Sequence, residues 1–71
     1  MNKNDTPFVI IENQAMVLYR LWLRGKRDIV CTIILSIGVD AAPLVAQLML
    51  YLRQPRDRAR LCEMLIEKAF V

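Results

Sequence analysis

An all-α fold is predicted for this chain: a small compact bundle of about four short helices, intertwined or packed as a homodimer. Three observations carry that expectation. First, 71 residues make one domain with a thin core, because short chains bury a smaller share of their surface than long ones. Second, 56% of the residues are hydrophobic, above the roughly 45–50% of an ordinary soluble domain. Apolar surface is therefore left over for a second copy, a foreign partner or lipid. Third, Gly25, Gly38 and Pro55 punctuate the chain into segments of helical length.

Residues 1 to 71 read as a single helical domain, with the polar MNKNDT at 1 to 6 expected to be a flexible terminus. PFVII at 7 to 11 is β-branched and follows a proline, so it is expected as a short extended arm or a hydrophobic staple ahead of the first helix. ENQAMVLYRLWLR at 12 to 24 is rich in helix formers and stops at Gly25. Asn13, Arg20, Arg24 and Arg27 recur at helical spacing and form one polar stripe. Almost everything else around that helix is apolar, which in so short a chain calls for neighbours from another molecule.

Asp28 is expected to cap the next segment, IVCTIILSI, which ends at Gly38. Helix is the preferred state for 29 to 37, but Ile29, Val30, Thr32, Ile33 and Ile34 would suit a strand as well. A tight corner follows at Gly38-Val39. Asp40 is expected there as N-cap of a third helix over 41 to about 53, its carboxylate accepting the amide of Ala42 or Leu44. Pro43 is tolerated because it falls in the first turn. The last helix, about 56 to 70, presents Leu61, Cys62, Leu65, Ile66, Ala69 and Phe70 as an apolar stripe.

The net charge of +3 is mild, but its placement is not random. Eight of the ten basic residues fall in two groups: Arg20, Arg24, Lys26 and Arg27, then Arg53, Arg56, Arg58 and Arg60. In an up-and-down bundle the first and third turns lie at one end, so the two groups would form a single edge suited to an anionic partner.

Three broader classes are weighed against this pattern. "IGVD" at 37 to 40 resembles the turn of a helix-turn-helix motif, yet of the outward positions on the following helix only Gln47 could read a base. Nucleic acid is possible through the basic edge and is not favoured. Residues 29 to 52 carry a single charge and are long enough to span a bilayer. Asp40 and Pro43 at the midpoint, with equally basic flanks, weigh against a membrane role. Enzymatic chemistry finds no footing. There is no histidine, Ser36 has no base near it in sequence, and Glu63 and Glu67 have the spacing of a solvated helix face.

Two thiols without imidazole cannot supply a structural zinc site. Cys31 and Cys62 therefore read as small buried hydrophobes in a reducing compartment. No secretory leader is visible and a cytoplasmic location is expected. The functional expectation is a non-enzymatic, cofactor-free homodimeric regulator or adaptor that binds another protein. Its self-association and partner-binding residues are expected to be Leu18, Tyr19, Leu21, Trp22, Val45, Leu48, Met49 and Leu52.

Overall fold

The computed structural model describes residues 7 to 70, and every element among them is helical. The expectation of a flexible segment at 1 to 6 lies outside the described residues. Helix α1 covers Pro7–Leu23, α2 covers Arg27–Ile37, a 3-10 turn covers Gly38–Ala41, α3 covers Ala42–Tyr51 and α4 covers Pro55–Ala69. Because the 3-10 turn joins α2 to α3 without interruption, Arg27–Tyr51 forms one helical stretch. The chain thus has three helical segments, the middle one bent, where four separate helices were expected. The strand alternative for 29 to 37 is not realised.

The bend is a true reversal. A straight 25-residue helix would place Tyr51 about 36 Å from Arg27. Yet the Tyr51 ring lies 5.8 Å from that of Tyr19, a residue only four positions before the end of α1. Gly38 makes the reversal with φ 85 and ψ −144, backbone that side chains oppose. Helix α3 then lies along α1, while α2 packs chiefly on α4 and more narrowly on α1.

Several local expectations are corrected. Residues 7 to 11 are not an extended arm: α1 begins at Pro7 itself, where a proline's missing amide costs nothing. Arg27 does not continue the stripe of Asn13, Arg20 and Arg24, since the helix ends before it. Gly25 ends α1 in a Schellman arrangement, with φ 81, its amide on the Trp22 carbonyl and that of Lys26 on the Leu21 carbonyl, each at 3.0 Å. Asp28 is not a cap. Helix α2 starts one residue earlier with Lys26 as N-cap, and Asp28 pairs instead with Lys68 at 3.5 Å.

Asp40 does not cap α3 either. Ala41 holds the N-cap position, with φ −79 and ψ −8 and no side-chain hydrogen bond. The 3-10 turn carries helical backbone straight into α3, so no residue at the corner takes the extended conformation from which a carboxylate reaches back. Pro43 does sit in the first turn of α3. Pro55 opens α4 rather than preceding it.

The core consists of Ala15, Leu18 and Trp22 from α1, Val30, Cys31 and Ile34 from α2, Ala41, Leu44, Leu48 and Leu52 from the corner and α3, and Leu61 and Met64 from α4. On α4 the buried face is rotated from the predicted stripe: Leu61, Met64 and partly Leu65 point inward, while Cys62, Ile66 and Phe70 are exposed. The molecule measures 39 × 24 × 17 Å. With helices packing about 8–10 Å apart, the shortest dimension admits two layers, so each helix keeps an open face.

Candidate functional site

The residues expected to mediate self-association divide in two. Leu18, Trp22, Leu48 and Leu52 are buried inside the chain's own core and offer no outward surface. Tyr19, Leu21, Val45 and Met49 are partly buried against that core. An apolar-all-round helix pointed to extra burial, but it did not say which side meets α3 and which stays open.

Exposed apolar side chains occur on every helix, among them Leu23, Leu50, Ile66 and Phe70, and one group of them lies around the Gly38 corner. Val39 is 92% exposed and Ile37 43%, because a residue on the outside of a reversal has no helix face to hide behind. Two shallow grooves flank it. One is lined by Ile34, Gly38, Val39, Ala41, Ala42, Val45 and Ala46. The other, between α1 and the bent segment, is lined by Gln14, Val17, Leu18, Ile33, Ile37 and Leu44. Sequence reasoning missed Val39 and Ile37 as surface residues, although their flanking of a positive-φ glycine was the available clue. The stretch Arg27–Tyr51 is apolar and long enough to cross a membrane by composition, with mean hydropathy 2.2. In this fold it doubles back and places Ile34, Ala41, Leu44 and Leu48 in the core.

At the opposite end, the α1–α2 junction meets the start of α4. Arg27, Arg56 and Arg60 line one cleft together with Gln54, Asp57, Ala59 and Glu63. Arg27 stands over the Trp22 ring, 4.7 Å from its centre, a cation–π contact, and lies 3.8 Å from Asp57. Arg60 is 3.9 Å from Glu63 and 4.0 Å from Glu67. Arg58 faces elsewhere: its Nε donates to the Leu52 carbonyl at 2.6 Å and the Met49 carbonyl at 3.1 Å. Arg20, Arg24, Lys26 and Arg53 are exposed and do not line the cleft.

Groups with chemical reactivity are few. Cys31 is fully buried and Cys62 exposed, both as free thiols, so Cys62 departs from the expected buried role. Burial pushes the Cys31 thiol above its usual range, Asp28 adding to the effect and Lys68 and Arg60 opposing it. The Ser36 hydroxyl donates to the Ile33 carbonyl at 2.8 Å. Trp22 Nε1 is buried without a hydrogen-bond partner. Among the described residues no three His, Cys, Asp or Glu side chains gather to hold a metal. Comparison with known proteins finds no family model, no curated protein and no solved structure that matches the chain.

Proposed function

We propose that this chain is a small non-enzymatic interaction module, a homodimeric regulator or adaptor whose two copies meet through the Gly38 corner. The observation that carries the proposal is the pairing of a knob and a groove on one surface. Val39 projects almost fully exposed, and beside it runs a groove floored by the small residues Gly38, Ala41, Ala42 and Ala46. A two-fold interface needs one patch that complements itself, each copy offering to its partner what it receives. A branched knob next to a shallow apolar groove meets that requirement, and both lie at the end away from the arginine-lined cleft, so the arginine-rich ends of the two copies stay apart.

Light scattering at low micromolar concentration is the test. Twice the chain mass is expected, and Val39→Glu should return the protein to one chain mass with its helical circular dichroism intact. A folded monomer for the unaltered chain would overturn the dimer. A dimer that survives Val39→Glu would move the interface elsewhere.

A further inference from the structure

We infer that the outward face of α4 is a docking surface for an amphipathic helix of another protein, one that carries lysine or arginine beside its apolar seam. The role of this face rests on the adaptor reading; its geometry does not, because α4 lies away from the Gly38 corner. Both ends of α4 meet the start of α2, with Asp57 lying 3.8 Å from Arg27 and Lys68 3.5 Å from Asp28. Two copies joined at the corner each keep the face free.

Helix α4 is apolar on two opposite sides. Leu61 and Met64 point into the core. At about 100° per residue, Ala59, Cys62, Ile66 and Ala69 turn the other way, and all four are exposed. Ile66 is 59% exposed, and Phe70, just past the helix end, 86%. A helix that coats a protein has one apolar stripe and a polar back. With an apolar back as well, α4 has the pattern of a helix set between two neighbours, and its own chain supplies one.

The spacing makes the other neighbour a helix. Positions 59, 62, 66 and 69 are three or four apart in alternation, the rhythm in which one helix sets knobs into the holes of another. Ala59 and Cys62 are short, so a second axis can come within the about 8–10 Å of packed helices. Charge then narrows the partner. Along one edge of the seam Glu63 and Glu67, 62% and 63% exposed, both lean on Arg60, at 3.9 and 4.0 Å, beyond hydrogen-bond length. Two carboxylates share one guanidinium, which leaves an excess negative charge for a cationic side chain to meet. A second copy meets it poorly. Antiparallel pairing about the seam sets Glu63 near its own counterpart. Parallel pairing offers Glu63 only Leu65 and Arg58, whose Nε is already bonded to the Met49 and Leu52 carbonyls.

The experiment titrates the full chain into two fluorescein-labelled helical peptides and reads their anisotropy. Both peptides are alanine-based with leucine in the seam; one carries lysine beside the seam and its twin glutamate. The lysine peptide is expected to bind the tighter. Ile66→Lys should weaken it at least about tenfold, as for loss of a central apolar anchor, with helical circular dichroism and chain mass in light scattering unchanged. Replacing both acids, Glu63→Lys with Glu67→Lys, should weaken it about threefold, as for exposed ion pairs, and make the glutamate twin the preferred peptide. Failure of both peptides to bind, equal binding of the two, or binding that Ile66→Lys leaves intact overturns the surface. Dimer mass lost in Ile66→Lys assigns the seam to a second copy, and phosphatidylglycerol vesicles that bind the unaltered chain but not Ile66→Lys assign it to lipid; either result overturns the proposal. A monomeric chain that still binds the lysine peptide through Ile66 removes the corner dimer and supports this surface.

Discussion

Gly38 and Gly25 both hold positive φ, and they carry different weights. At Gly25 the chain only has to leave α1, whereas at Gly38, with φ 85 and ψ −144, it reverses between two packed helices. No neighbouring atom lies within 4 Å of a Cβ built at either position, so substitution tests the backbone alone. Gly38→Ala should cost about 1–3 kcal/mol, the range for backbone held in a region that is nearly glycine-only. Gly25→Ala should cost about 1 kcal/mol as a left-handed helix terminus. Urea unfolding followed by circular dichroism measures both, and equal costs would contradict the ranking. The two thiols give a second residue-scale expectation. Under native conditions a thiol reagent should modify Cys62 quickly and reach Cys31 only as the protein unfolds. Burial raises the folded pKa of Cys31, so its contribution to stability is complete below the ordinary thiol pKa and is lost as pH climbs from there through the folded value. A stability profile rising across that alkaline window would contradict this assignment.

At the scale of elements, Arg58 joins α4 to the end of α3. Its Nε bonds to the Met49 and Leu52 carbonyls satisfy acceptors that a helix C-terminus leaves open, and its positive charge suits that end of the dipole. Arg58→Gln should therefore destabilise the fold by about 1–2 kcal/mol, while Arg56→Gln, exposed and unpaired, should stay within about 0.5 kcal/mol. Matching losses in thermal or urea unfolding would show that Arg58 acts only as surface charge. Nothing in the sequence separates these two arginines, because the distinction depends on how the short connection after Leu52 sets the start of α4 beside the end of α3. Element ends were legible where glycine or proline dictates backbone, as at Gly25, Gly38 and Pro55. Caps were not: Asp28 and Asp40 have the right side chain, but α2 starts one residue before Asp28 and a 3-10 turn keeps Asp40 in helical backbone. The rotation of α4 was also hidden. Its stripe of Leu61, Leu65 and Ile66 competes with the face containing Leu61, Met64 and the stem of Lys68, and packing against α2 selects the latter.

For the whole molecule, the sequence correctly signalled more apolar surface than a thin core can absorb, and misplaced it. Trp22, Leu48 and Leu52 are the bulky side chains that a two-layer body most needs inside, so α1 and α3 bury them against each other. What remains outside is spread along the open helix faces, with Leu23, Leu50, Ile66 and Phe70 exposed, and includes the corner at Ile37 and Val39, where Val39 is the most exposed of all. If the corner is a dimer surface, unfolding is coupled to dissociation, and the melting temperature must rise with protein concentration by mass action. Two substitutions then separate core from interface. Leu48→Ala removes a fully buried side chain and should lower the melting temperature at every concentration, by a stability loss of about 2–5 kcal/mol. Val39→Glu should instead abolish the concentration dependence and leave a melting temperature near that of the dilute unaltered protein. Scanning calorimetry over a hundredfold range of concentration distinguishes them. A melting temperature independent of concentration for the unaltered chain would make the corner an exposed apolar surface awaiting a foreign partner.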